Sequence, residues 1–269
     1  MSDSNASSPA RPVAVPVPAA TIMLLRDGPQ GMEVFMVVRH HQIDFASGAL
    51  VFPGGKIDPQ DEDPRVLARA QCDAGLTAGQ QTLRIGAIRE VFEESGILLA
   101  RDARGAWVAP GPVSEAWRQQ LNAHQLTMGD ILTQGDLRLA CDDLVHYSHW
   151  ITPPMMPKRF DTHFYLARVP GDQVADHDGH ENVDSVWIRP SQVVADAASG
   201  ARTVIFPTLS NIVRLAQYQS VAEAFDAVRR TPVVSVTPWS EKRADGRYVC
   251  IPKDAGYTLY EQRVPERAA

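Results

Sequence analysis

The spacing of apolar and polar positions changes several times along this chain, and each change marks an element. The apolar run from Thr21 to Leu25 predicts a strand, and Glu33 to Arg39 predicts a second. Arg26-Asp27-Gly28-Pro29 reads as the turn of a hairpin between them. Gly48 to Phe52 is a short apolar run ending at Pro53-Gly54-Gly55. Pro59 to about Gln80 is polar, with one short helix expected around Pro64 to Ala70. Helical spacing is clearest over Leu83 to Glu94, and Val113 to Leu144 reads as a mostly helical insertion. Phe160 to Val169 and Ser185 to Ile188 predict strands, and Pro190 fits the start of a helix over Ser191 to Ala198. Leu209 to Arg229 predicts one or two helices, and short strands are expected in the remainder. There is no internal repeat. This irregular alternation implies an α/β fold, a mixed sheet flanked by helices. Residues 1–18, rich in Ser, Ala and Pro, read as a disordered tail. Residues 19–262 then form a single domain with insertions at about 59–81 and 112–148, and 263–269 form a flexible end.

Composition narrows the function classes. The 269 residues are 44% hydrophobic and 22% charged, which is ordinary globular usage. A net charge of -6 leaves no basic excess to favour nucleic acid or an anionic membrane surface. Cys72, Cys141 and Cys250 lie far apart with no CxxC pair, so the reading is three thiols rather than a zinc ribbon or a disulfide framework. The apolar stretch Val13 to Leu25 is too short for a membrane span and is broken by Pro16 and Pro18. It also lacks the cationic head of a signal peptide, and the C-terminus is not of the Ser-Lys-Leu type. The expected location is the cytoplasm.

The chemistry is concentrated on one helix. Ile85, Ile88, Val91 and Phe92 share an arc that can face a core, while Arg89, Glu90, Glu93 and Glu94 share the opposite arc. Glu90 and Glu94 are one turn apart, with Glu93 beside them. Like charges at this spacing repel, and a hard divalent cation would turn that repulsion into a site. A solvated acidic face is the alternative. Phe52-Pro53-Gly54-Gly55-Lys56-Ile57-Asp58 is the second feature, since paired glycines bare the backbone to a metal or phosphate. Taken alone it is an ordinary turn.

Gly55 and Arg89-Glu90-Val91-Phe92-Glu93-Glu94-Ser95-Gly96-Ile97 together resemble the Nudix box, G-x5-E-x7-R-E-U-x-E-E-x-G-U with U aliphatic. Every specified position of the R-E-U-x-E-E-x-G-U half is matched. From Gly55 to Arg89 is 89 − 55 = 34 positions, 20 more than the pattern holds. The acid expected six residues after the glycine is therefore Asp61 counting forward from Gly55, or Gln81 counting back from Arg89. The resemblance implies a Nudix α/β/α sandwich and a loop-helix-loop that holds metals. It also implies hydrolysis of a diphosphate bond in a nucleoside diphosphate derivative.

Phe45-Ala46-Ser47-Gly48-Ala49-Leu50-Val51-Phe52-Pro53-Gly54-Gly55, Trp150-Ile151-Thr152-Pro153, Arg159-Phe160-Asp161-Thr162 and Pro207-Thr208 resemble the Nudix subfamily of peroxisomal coenzyme A diphosphatases and their bacterial relatives. Coenzyme A or acyl-coenzyme A is the substrate this implies. A separate coenzyme A signature is half present, since Gly48 and Phe52 match but Asp44 stands at its Arg position. The Ser-Gln-Pro-Trp signature and zinc site of NADH-cleaving relatives are absent.

By resemblance, Glu90, Glu93, Glu94 and the Gly55 carbonyl are the expected ligands of Mg2+ or Mn2+. Glu93 is placed in the catalytic centre, and Arg89 is expected to hold a carboxylate of the cluster. Glu181 is the expected general base, with His180 second and a solvated loop acid as the alternative. Lys158, Arg159 and Phe160 are expected on the substrate, the two cations at its phosphates, with two cations at a strand start as the alternative. Met155 and Met156 line an acyl or pantetheine groove, or else pack in the core or lie on a mobile loop. The Glu115–Arg118 region reads as a lid or a dimer contact. ADP-ribose or another dinucleotide is the alternative substrate, supported by Pro112 near where ADP-ribose hydrolases carry a proline. A Nudix fold kept as a non-catalytic ligand-binding module is the third reading.

Overall fold

A computed structural model describes residues 13–39, 48–169 and 182–264. Its strands are β1 (Val17–Gly28), β2 (Gly31–Arg39), β3 (Leu50–Val51), β4 (Gly54–Lys56), β5 (Ala100–Arg101), β6 (Arg138–Leu139), β7 (Val145–Ile151), β8 (Phe160–Arg168), β9 (Asn182–Ile188), β10 (Ser235–Val236), β11 (Trp239–Arg243), β12 (Gly246–Cys250) and β13 (Glu261–Arg263). Its helices are α1 (Pro64–Leu67), α2 (Ala78–Ser95), α3 (Pro112–Asn122), α4 (Met128–Gln134), α5 (Pro190–Ser199), α6 (Phe206–Leu215) and α7 (Val221–Arg229). A 3-10 turn covers Pro59–Glu62.

The central sheet runs β10-β7-β8-β1-β2-β3, with β4 also pairing β1 and β9 pairing β2. It is mixed: β1 and β8 are parallel, and β1 and β2 form the expected antiparallel hairpin. β1 is longer than its apolar core suggested, because β8 pairs with it from Val17 onward. β7 went unread in the sequence, and the expected helical insertion ends before it. Its residues from Val145 belong to the central sheet.

Both faces of the sheet are apolar, as a sheet covered on both sides requires. Ala20, Ile22, Leu24, Phe35 and Val37 point to one core with Ile85, Ile88, Val91 and Phe92 of α2. Their strand neighbours Met23, Leu25, Val34 and Met36 point to the other core, with Phe206, Ile212, Val221 and Phe225 of α6 and α7. The architecture is an α/β/α sandwich of α2, sheet, and α6 with α7.

The two expected insertions pack on each other. Arg65 of α1 pairs with Asp130 of α4 at 2.7 Å, and Arg69 pairs with Asp136 at 3.0 Å. The Gln71 N–H donates to the Leu139 carbonyl at 2.9 Å, and the Asp142 N–H donates to the Gln71 carbonyl at 2.8 Å. All three cysteines are free thiols. Among the described residues no helix is long and apolar enough to cross a membrane.

Candidate active site

The site begins with how α2 is held. Thr77 caps its start: Thr77 Oγ1 accepts the Gln80 N–H at 3.3 Å, and Gln80 Oε1 accepts the Thr77 N–H at 3.0 Å. Gly96 ends it with φ of 75°, a left-handed position that glycine adopts without strain. The last carbonyls are taken by α3. Arg118 donates from Nε to the Glu93 carbonyl and from Nη2 to the Glu94 carbonyl, each at 3.0 Å. Arg118 is buried, so the Glu115–Arg118 region clamps the end of α2 rather than presenting a free lid. Pro112, weighed as a mark of ADP-ribose hydrolases, occupies the first turn of α3, where proline is favoured on conformational grounds alone.

The predicted apolar arc of α2 is fully buried, as read. The polar arc is covered too, by the turn that follows β3. β4 pairs Ala19, Ala20 and Thr21 of β1 with Lys56, Gly55 and Gly54. Gly55 thereby lies against Glu90, so closely that a Cβ there would stand 2.4 Å from Glu90 Oε2. The Gly54 N–H donates to Glu94 Oε2 at 3.2 Å. Glycine is required at both places by close approach.

Asp61 resolves the spacing of the box. Its carboxylate is fully buried and accepts Arg89 Nε at 2.8 Å and Nη2 at 3.1 Å. It also accepts the Asp58 N–H at 2.8 Å, which closes the 3-10 turn. The 20-residue excess therefore follows Asp61, and Gln81 is merely in the first turn of α2. Gly86 makes room for this pair, since a Cβ on it would lie 2.8 Å from Asp61 Oδ2.

Arg89 is the hub. Nη1 donates to Glu90 Oε1 at 2.9 Å and to Glu93 Oε2 at 3.0 Å, while Nη2 also donates to the Lys56 carbonyl at 2.9 Å. Burial opposes the guanidinium charge, but Asp61, Glu90 and Glu93 outweigh it and hold the pKa above its usual value. Burial pushes the Glu93 carboxyl upward, with Arg89 working against the shift. Glu90, Glu93 and Glu94 thus present hard oxygens beside the bared backbone of Gly55, a donor set suited to Mg2+ or Mn2+.

The other expected residues divide. Glu181 and His180 lie outside the described residues. Phe160 opens β8 opposite Val17, at the end of the sheet where Lys56 pairs Ala19. Arg159 is committed to the backbone: Nε donates to the Thr152 carbonyl at 2.9 Å and Nη1 to the Ala14 carbonyl at 2.7 Å. Lys158 is exposed. Met155 and Met156 are exposed at 66% and 40%, which removes the core reading for them.

The sandwich with its turn-helix box is that of the Nudix hydrolases. The crystal structure of a NUDIX hydrolase from Alicyclobacillus acidocaldarius matches with a TM-score of 0.71 and 26% identity, over 81% of this chain and 99% of that one. Residues 59–215 match the family model described as the NUDT19 Nudix domain, and the chain belongs to that family. It is 29% identical over 192 residues to putative nudix hydrolase 7 of Caenorhabditis elegans, covering 68% of this chain and 56% of that protein. It is 24% identical over 279 residues to the human acyl-coenzyme A diphosphatase NUDT19, covering 85% of this chain and 73% of that protein. The match to the Xenopus laevis acyl-coenzyme A diphosphatase NUDT19, at 23% identity, spans 61% of that protein. The chain thus spans less than two thirds of the worm and frog relatives.

Proposed function

We propose that this protein hydrolyses the diphosphate bond of coenzyme A or an acyl-coenzyme A with the help of a divalent metal. One observation carries the reading: the buried Arg89 joins the buried Asp61 to the half-buried Glu90 and Glu93 in one connected cluster. Carboxylates crowded together cost stability, and a divalent cation turns that crowding into a site. The human and frog relatives' names support the choice of substrate.

Glu90, Glu93 and Glu94, with the Gly55 carbonyl, are the residues that would hold Mg2+ or Mn2+. The ion supplies charge neutralisation of the diphosphate and a more acidic water. Arg89 is a positioning residue that fixes the carboxylates before substrate arrives, so that no reorganisation accompanies the reaction. In the reaction a water oxygen bonds to phosphorus as the bridging P–O bond breaks. The water proton passes to a carboxylate base, for which Glu181 is our candidate, and the leaving phosphate departs as a monoester. Lys158 and Phe160 are the candidates on the substrate side, and exposed Met155 and Met156 are suited to an apolar acyl chain.

The test is product analysis with coenzyme A, acetyl-coenzyme A, ADP-ribose, NADH and diadenosine polyphosphates, with Mg2+ or Mn2+ and a Glu94→Gln control. Release of 3′,5′-ADP and phosphopantetheine, lost in the control, is expected. Cleavage of another substrate alone would overturn the coenzyme A reading. Binding without turnover would overturn the enzymatic one.

A further inference from the structure

Away from the box, β7 and β8 place a second group of ligating side chains on the α2 face of the sheet. His149 and His163 are direct cross-strand partners, and their rings stack with centroids 4.0 Å apart at 14°. Asp161, two residues before His163, points to the same face. One ligand atom from each of His149, Asp161 and His163 falls within 4.8 Å of the other two. Among the described residues this is the one such set.

The hydrogen bonds around the set orient it. His149 Nδ1 lies 2.5 Å from Ser235 Oγ on β10, and His163 Nδ1 lies 3.0 Å from His146 Nε2 on β7. A proton on Nδ1 of each ring satisfies both contacts as donors. Both Nε2 lone pairs then face the Asp161 carboxylate, whose Oδ1 touches His149 Nε2 and lies 3.9 Å from His163 Nε2. In that tautomer three acceptors meet with no donor between them, a set that a cation completes; in the other, His149 Nε2–H donates to Asp161 and the Ser235 hydroxyl donates to His149 Nδ1. Metal-bound histidines are oriented in this way, through the outer nitrogen of the ring.

We propose that His149, Asp161 and His163 form a second metal site, one that takes a borderline transition ion such as Zn2+. Two imidazoles and one carboxylate are the donors such ions prefer, whereas the all-oxygen box suits Mg2+. Bonds of about 2.0–2.1 Å in a tetrahedron set ligand atoms about 3.3 Å apart. The 3.9 Å contact closes a little to reach this, and the His149–Asp161 contact opens. Three protein ligands leave a fourth position for water or another small ligand, and the Asp161 side chain is 37% exposed, so solvent reaches it. The site shares a face with the box. His163 pairs with Ala20, which pairs on its other side with Gly55. Two strand spacings place it roughly 10 Å from that glycine.

The test uses the full chain, stripped of metal and held in saturating Mg2+, and titrates it with Co2+. One equivalent is expected to bind with the intense visible absorption of a four-coordinate site containing nitrogen, and Zn2+ should displace it. His149→Ala and His163→Ala should each abolish the band. Ser235→Ala, which leaves every ligand in place, should weaken binding about 10-fold or more. Glu90→Gln should leave the band intact, which separates this site from the box. Circular dichroism checks folding, and Asp161→Asn gives the same reading should a histidine variant fail to fold. The proposal is overturned if no equivalent of Co2+ saturates with that band, or if folded ligand variants keep it. That outcome would leave a hydrogen-bonded His149–Asp161 pair and would not touch the diphosphatase reading.

Discussion

Arg89 and Asp61 are 28 residues apart in sequence and meet as a bidentate, buried ion pair, with Nε to Oδ1 at 2.8 Å and Nη2 to Oδ2 at 3.1 Å. The pair ties the 3-10 turn after β4 to the middle of α2. It also fixes the direction in which Arg89 turns its remaining donors, toward Glu90 and Glu93. Geometry of this kind is worth more than a surface pair, and losing one partner strands the other charge in the interior.

Asp61→Ala should therefore destabilise the fold by about 3–5 kcal/mol. Asp61→Asn keeps the shape and should cost less, while still loosening the carboxylate cluster. Denaturant unfolding measures the first effect, and the metal concentration needed for half-maximal activity reports the second. A stability loss below about 1 kcal/mol for the alanine variant would show that the pair is not buried as described.

Gly86→Ala should reverse the usual sign. Alanine in a helix interior is normally favoured over glycine by about 1 kcal/mol. Here the added Cβ would meet Ile57 Cδ1 at 2.6 Å and Asp61 Oδ2 at 2.8 Å. The expected result is a lower Tm and weakened activity together. Gly79→Ala, at a helical glycine with nothing near its Cβ, is the control that should be neutral or stabilising.

Arg118→Met keeps the aliphatic bulk and removes two charge-assisted hydrogen bonds to the Glu93 and Glu94 carbonyls. A loss of roughly 2–3 kcal/mol is expected. Hydrogen exchange should show the last turn of α2 opening first, because the Glu94 carbonyl would lose its Arg118 donor and the Glu93 carbonyl would keep only Asn122 Nδ2 at 3.3 Å. Unchanged protection there would contradict the clamp.

The histidine row makes metal-free stability depend on pH. Burial, then the charge of neighbouring histidines, pushes His146 down to about 3; the same causes push His163 down to about 4. His149, Asp161 and Arg84 are the charged or titratable groups that face them. For a histidine with a depressed folded pKa, the stability is complete above the unfolded value near 6.5. It is lost as pH falls from there toward the folded value. The metal-free protein should lose about 2 kcal/mol per histidine between pH 7 and pH 5. Denaturation at both pH values, compared with a His146→Gln/His163→Gln variant, isolates this from carboxylate titration. Equal slopes for the two proteins would contradict it.

Much of the box was legible because its information is local. One turn of helix sets the spacing of Glu90 and Glu94, and Ile85, Ile88, Val91 and Phe92 declare their buried arc by period alone. The hairpin of β1 and β2 is equally local, closed by the turn between Gly28 and Gly31. β7 was unread because its two histidines and serine break the apolar alternation of a strand. Its β-bulge between His146 and Ser148 adds an extra residue, so His146 and His149, three apart, still share a face. A regular strand would have set them on opposite faces, and no sequence signal marks the bulge.

The chain by itself determined the helix that carries the carboxylates, the glycine turn and the alternation that makes a two-faced sheet, because each depends on neighbours within one turn or strand. Tertiary structure alone decided that Asp61 rather than Gln81 completes the cluster, that α3 clamps α2, and that His149 and His163 stack beside Asp161. Each of these is a contact between segments distant in sequence. Such contacts are chosen by how the pieces pack, through strand register, the room left by Gly86, and the direction in which a buried arginine can satisfy its donors.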